Sequence, residues 1–340
     1  MRREHPRSLN RGGYMNFVSE VRKQQRRWQN ARNISVFYLL GVLVVASVFM
    51  SMLDPNFFTA RNLFNVLNQQ STIGIVTVGV AIALICGCID LTVGNVLATT
   101  AAVAALMITA GYNEVHVIIL TLLVGLFAGM INGFIVVKLR IDSFIATLGL
   151  MSVYQGLALI IPNGNNIYLN NRFAWFGTYR IYDIVPIPVV YFAVITIIAY
   201  FAMRFTRFGR NLYSIGGNSE AAFLAGVNLD RNRIIAYAIS GLLASFASLV
   251  VISRIGQSQP AMGASYPLEA IAASVIGGVS LMGGKGTVLG TFLGVILLGL
   301  IRNSLNLLRV PGSYQYVMLG AVIVLAVALS NIGAFRRNGK

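Results

Sequence analysis

The chain has 340 residues, 56% hydrophobic and 11% charged, with a mean hydropathy of +0.74, whereas a soluble globular chain carries about 25% charged residues. That composition excludes a water-soluble domain. The net charge of +16 reads as a topology signal and not as a nucleic-acid surface, because the Lys and Arg residues gather in segments between apolar runs instead of covering one face of a domain.

The first 33 residues carry nine Lys/Arg against two Glu. The run behind them, 34–53, is about 20 residues long, beyond a 7–15-residue signal-peptide core, and has no convincing cleavage site. It reads as a retained first span behind a basic cytoplasmic tail. Runs of this length match the ~30 Å hydrocarbon core at 1.5 Å per residue, and none shows the polar/apolar alternation of a membrane barrel, so the fold class is all-α, a polytopic helical membrane protein.

Ten spans are predicted, at about 34–53, 71–89, 92–110, 115–137, 143–161, 184–203, 233–253, 268–281, 286–301 and 314–335, within a transmembrane domain 34–335. An even count puts both ends, including 336–340, on the cytoplasmic side. Twenty of the 26 Lys/Arg then fall in cytoplasmic segments, as the positive-inside bias requires.

Two spans are interrupted, one in each half: "CGCIDLTVGNV" (86–96) and "IGGVSLMGGKGTVLGT" (276–291). Non-helical backbone at membrane depth survives only against protein or water, and paired interruptions in transporters lie near the substrate route. Asp90, Asn95, Gly277 and Gly278 are therefore candidate translocation-path or broken-helix residues. The arrangement suggests two five-helix halves of opposite orientation. Asp90 is expected to accept backbone N–H groups at the start of the following helix, and Glu269 to open a helix after Pro267. Cys86 and Cys88, the two cysteines, read as buried thiols, since a disulfide two residues apart is strained. Asn65, Asn68, Gln69, Gln70, Asn95, Asn132, Gln155 and Asn303 are read mainly as bonds between helices.

Catalytic chemistry is poorly provided for. The stretch "GGKGT" around Lys285 lacks the Ser or Thr that must follow the Lys of a phosphate loop. His5 and His116 have no plausible partner set, and no metal-ligand or nucleophile motif occurs. The chain is expected to be no enzyme and to hold no metal or cofactor.

The segment 204–232 falls in the cytoplasm on this count. Asn218 and Ser219 are good N-cap residues, Glu220 suits a first turn, Ala221 to Ala225 favour helix, and Gly226 is a natural residue after a C-cap. A short helix outside the bilayer, with a small apolar face, is expected to dock in a groove of a partner protein.

This segment, "FGRNLYSIGGNSEAAFLAGVN", closely resembles the cytoplasmic coupling loop of permease subunits in bacterial ABC importers for monosaccharides, of the ribose, galactose, arabinose and xylose type. Further matches are "IDLTVGNVLA" (89–98), "FIATLGLMSVYQGLA" (144–158) and the long run 268–308, so the resemblance spans about residues 35–330 without the basic tail. It implies an inner-membrane permease that pairs with a second copy or paralogue. A periplasmic binding protein delivers the sugar, and a cytoplasmic ATPase subunit holds the ATP and Mg. The coupling helix corresponds to Asn218–Ala225, with coupling residues Gly216, Gly217, Asn218, Ser219, Glu220, Ala221, Ala222, Leu224 and Gly226. The alternative is an ion-coupled secondary carrier working without an ATPase. A membrane scaffold is a third reading. The sugar is not legible.

Overall fold

The computed structural model describes residues 57–315 throughout, with further positions within 39–52 and within 317–324. The tail 1–33, the end 336–340, part of the first expected span and most of the last lie outside the described residues. The elements run α1 (Ala60–Ile85), α2 (Val93–Thr109), α3 (Glu114–Lys138), α4 (Ser143–Ile160), β1 (Ile167–Tyr168), α5 (Trp175–Thr178), β2 (Arg180–Ile181), β3 (Val185–Pro186), α6 (Ile187–Phe205), α7 (Arg207–Gly217), α8 (Ser219–Leu224), α9 (Leu229–Ile255), β4 (Gln257–Ser258), α10 (Tyr266–Ile276) and α11 (Val288–Leu307).

Six of these, α1, α3, α4, α6, α9 and α11, are long and apolar enough to cross a membrane. The apolar helices α2 and α10 are shorter, with 17 and 11 residues, because each borders one of the two interruptions. Helix α1 begins eleven residues before the expected 71. Thr59 caps it by accepting from the Asn62 N–H at 3.3 Å, and the polar run 62–70 that hid its start is helical.

Every residue of α1 from Gln70 to Ile85 is buried, as expected of a helix that is apolar all round and sits at the centre of a bundle. Helices α3, α4 and α6 lie outside it and bury only stripes. Phe192 of α6 rests on Gly74 of α1, where a Cβ would come 2.5 Å from its ring, and stacks on Phe292 of α11 at 5.1 Å between centroids.

Helices α3 and α9 pack backbone against backbone. Gly125, Gly129 and Gly133 recur every four residues, so they share one face of α3. A Cβ at Gly129 would overlap the Tyr237 carbonyl of α9 and lie 2.9 Å from Ala238 Cα, and one at Gly133 would lie 2.8 Å from Ile234 Cα. In lipid, helices gain little from excluding water from each other, and close backbone approach through small residues supplies the packing instead.

The connector 161–186 is more structured than a plain loop. β1 pairs with β4 in antiparallel register, Ile167 opposite Ser258, and β2 with β3 forms a second small pair. Ser253 of α9 fastens α5 by accepting from the Gly177 N–H at 2.7 Å and donating to the Phe173 carbonyl at 2.6 Å.

Gly129→Ala should lower the thermal midpoint of the purified protein in detergent, at a cost of about 1–3 kcal/mol from overpacking. Gly149→Ala on α4, where an added Cβ meets nothing within 4 Å, should not lower it, since alanine gains about 1 kcal/mol of helix propensity there. Tryptophan fluorescence during a thermal ramp distinguishes the two.

Candidate coupling site

The segment joining α6 to α9 contains two helices, α7 and α8, with single capping residues between α6 and α7 and between α7 and α8. Thr206 caps α7 by accepting from the Gly209 N–H at 3.3 Å. Gly209, Leu212 and Ile215 of α7 are buried at a spacing of three and form one amphipathic face. Asn218 is extended, and its side-chain oxygen accepts from the Ala221 N–H at 2.9 Å, which opens α8. Glu220 stands in the first turn of α8, where a carboxylate favours the positive helix end.

At the far end, Gly226 takes a φ of +81°. Its N–H donates to the Phe223 carbonyl at 2.9 Å and that of Val227 to the Ala222 carbonyl at 3.0 Å, the paired bonds of a Schellman motif that glycine permits. Asn228 repeats the Asn218 device for α9, accepting from the Arg231 N–H at 2.9 Å. The expected helix over 218–225 is thus Ser219–Leu224 with Asn218 and Ala225 as its caps.

The outward face of α8 differs from the set read in the sequence at two residues, Ala222 and Phe223. Ala222 is 4% exposed and packs into the chain, while Ser219 is half-buried and Glu220 and Ala221 are exposed. Leu224 is 79% exposed, and beside it Phe223, absent from the expected coupling set, is 66% exposed. Its position beside Leu224 on so short a helix was the available signal, since both cannot face inward.

Gly216 and Gly217 end α7, directly before the Asn218 cap of α8. A Cβ at Gly216 would overlap the Ile85 carbonyl oxygen of α1 and the Gly284 nitrogen, whereas one at Gly217 would meet nothing within 4 Å. The two interruptions also meet each other here. The Gly284 N–H donates to the Ile85 carbonyl at 2.8 Å, and a Cβ at Gly283 would lie 2.8 Å from Gly87 Cα.

Asp90 is 1% exposed and fully engaged. Its Oδ1 accepts from the Thr92 N–H at 3.0 Å and hydroxyl at 2.6 Å, and its Oδ2 from the Ser240 hydroxyl of α9 at 2.7 Å. The Asn132 amide of α3 donates to Thr92 Oγ1 at 2.7 Å, and the Tyr154 hydroxyl of α4 to Asn132 Oδ1 at 2.9 Å. Asn95, 2% exposed, donates to the Met151 carbonyl at 2.6 Å. Both therefore bind helix to helix around the first break. Gly277 caps α10 against α11, with its Cβ position filled by the Gly290 backbone, and Gly278 turns the chain at a φ of +87°.

Asn132 and Gln155, whose amide donates to the Pro260 carbonyl at 3.2 Å, also bond between segments. Asn68 Oδ1 and Asn303 Nδ2 are buried without a partner among the described residues. Glu269 opens α10 as expected, and it further pairs with Arg302 of α11 at 2.9 Å. That ion pair joins segments 33 residues apart and had no local signature. Cys86 and Cys88 are free and buried. Among the described residues, no group of three or more His, Cys, Asp or Glu is placed to hold a metal.

Residues 62–327 match the family described as branched-chain amino acid transport system / permease component. The chain is 40% identical over 298 residues to the ribose import permease protein of Escherichia coli (strain K12), covering 86% of this chain and 92% of that one. It is 40% identical to the ribose import permease protein of Bacillus subtilis (strain 168), over 85% and 90% of the two chains. To the L-arabinose ABC transporter permease protein of Azospirillum brasilense it is 35% identical, over 94% and 93%. No solved structure matches the chain.

Asp90→Ala should destabilise the protein by about 1–3 kcal/mol, because it strands the Ser240 and Thr92 hydroxyls in a buried site. Asp90→Ala combined with Ser240→Ala should recover part of that loss. Thermal unfolding of the two variants in detergent checks the coupling.

Proposed function

The chain belongs to the family of transport-system permease components that its residues 62–327 match, and on that premise we propose that it is the membrane-spanning subunit of a bacterial ATP-binding-cassette importer for a monosaccharide, a pentose or a hexose. The observation that carries this reading is identity of 35–40% over at least 85% of the chain with permeases named for ribose and L-arabinose. The family description names branched-chain amino acids, but the sugar-named relatives match nearly end to end, and the substrate class follows them.

The exposed Phe223 and Leu224 supply a knob for a cytoplasmic ATPase subunit. Two large apolar side chains left in water on a capped, rigid turn favour a protein groove, with about 1.5–3 kcal/mol gained for each one fully buried. ATP and Mg belong to that subunit, and a periplasmic binding protein presents the sugar at the opposite face. The bundle lies in the inner membrane with ten spans and both termini cytoplasmic, in keeping with the Lys/Arg distribution. A second permease copy or a paralogue completes the path. The face of α4 supports such pairing, since Ile145, Leu148, Val153 and Ile160 are 50–70% exposed and Gly149 and Gly156 leave open space above the backbone.

Transport proceeds by alternating access: nucleotide binding draws the ATPase subunits together, and α8 passes that closure to the bundle as rocking of its helices.

The deciding experiment is co-purification of the tagged chain with an ATP-hydrolysing subunit, followed by ATP-dependent sugar uptake in liposomes. Uptake by the chain alone would instead mark an ion-coupled carrier. Phe223→Ala with Leu224→Ala should weaken ATPase association about 100- to 10,000-fold. Replacing Glu220 and Ala221 with bulky or opposite-charge residues should uncouple ATP hydrolysis from uptake while the protein stays in the membrane; unchanged sugar accumulation would refute the assignment of α8.

A further inference from the structure

Three stretches of backbone converge just before α8. The first is the end of α1, where the Ile85 carbonyl is one of the last-turn acceptors that a helix leaves without an internal partner. The second is the non-helical segment after α10, whose Gly284 N–H takes up that carbonyl at 2.8 Å. The third is the end of α7. Its Gly216 lies where a Cβ would strike both Ile85 O and Gly284 N, and the Cβ positions of Gly283 and Gly284 fall 3.0 Å from Gly216 Cα and 2.6 Å from Gly217 Cα. One turn earlier, the Tyr213 hydroxyl donates to the Gly286 carbonyl at 2.9 Å.

No side chain separates these backbones. A layer of side chains absorbs small displacements by changing rotamers, whereas backbone packed on backbone transmits them, because close-packed protein deforms little. The next residue, Asn218, both donates its N–H to the Ser214 carbonyl of α7 at 3.0 Å and caps α8. Motion of α8 therefore reaches Gly216 with two residues between, Gly217 and the cap Asn218.

We infer that Gly216 is the joint through which α8 moves both interrupted segments together, 86–92 and 277–287, and that Tyr213 is a positioning residue that keeps the second of them on the joint. The inference rests on the reading of α8 as the ATPase-docking helix. It adds that the two interruptions shift as one body during the cycle, driven from α7.

The test uses the assembled importer, this chain with its ATPase and binding protein, in liposomes. Sugar uptake per ATP hydrolysed is measured beside ATPase association and thermal midpoint. Gly216→Ala should keep the ATPase bound and hydrolysing while uptake per ATP falls about tenfold, through overpacking at the joint. Tyr213→Phe, which removes the hydroxyl that donates to the Gly286 carbonyl, should lower the ratio about threefold. Ser214→Ala, on the same helix but exposed and with its hydroxyl turned back onto the Arg210 carbonyl of α7 itself, should leave it within about twofold of wild type.

A purely structural role would reduce stability, hydrolysis and uptake in parallel and leave the ratio unchanged. An unchanged ratio in assembled Tyr213→Phe or Gly216→Ala, or an equal loss in Ser214→Ala, overturns the inference while the docking reading stands. Should Gly216→Ala not assemble, Tyr213→Phe against Ser214→Ala decides. Failure of the wild-type chain to bind an ATPase overturns the docking reading, and the joint with it.

Discussion

A peptide group that leaves a helix where it is buried from water must find another partner, and each one left unsatisfied costs several kcal/mol. The described chain leaves the helix at 86–92 and at 277–287, and much of its polar chemistry is spent there. Around the first break, the Ile89 N–H donates to Ser143 Oγ at 3.3 Å, and the Ile89 carbonyl accepts from the Tyr237 and Thr147 hydroxyls at 3.1 and 3.3 Å. Asp90 and Asn132 extend the set, so that α2, α3, α4 and α9 all hold one irregular stretch. The second break satisfies itself in part, with the Ser280 N–H on the Lys285 carbonyl at 3.1 Å, and uses its surplus donor to close the end of α1. The two irregularities thus solve a shared problem by leaning on one another.

Glycine makes the solution possible. Wherever the main chains of two segments must touch, at Gly129 against Tyr237, at Gly277 against Gly290 and at Gly216 against Ile85, a methyl group would separate them. In a soluble domain such contacts compete with water-driven burial of large side chains. In lipid that competition is weak, and dispersion between closely approached backbones becomes the main adhesive.

Much of this was legible in the sequence, for reasons that vary by element. The caps of α8 were readable because Asn218, Glu220 and Gly226 act within one turn of where they stand. The membrane helices were readable because length and apolarity are themselves the constraint. The start of α1 was not, since Asn62, Asn65, Asn68 and Gln69 resemble a loop until the rest of the bundle shelters them. The amphipathic face of α7 was masked by Gly209, Gly216 and Gly217, which look like breakers but serve close contact. Least readable were the pairings between distant segments, Gly284 with Ile85 and Glu269 with Arg302, which local composition cannot encode. The two interruptions were visible separately, but nothing in the sequence announced that they touch.

Helix α8 has six residues, about 9 Å of rise, far below the 12–15 residues that an isolated helix needs to persist in water. Its shape is borrowed from Asn218, from the turn at Gly226 and from the anchorage of Ala222 in the bundle. A free peptide copied from this stretch would therefore be mostly unstructured and a poor competitor for any surface that recognises it. A useful mimic has to import rigidity from elsewhere, by a staple or a graft onto a folded host, and the cleft that receives α8 need be little longer than a turn and a half of helix.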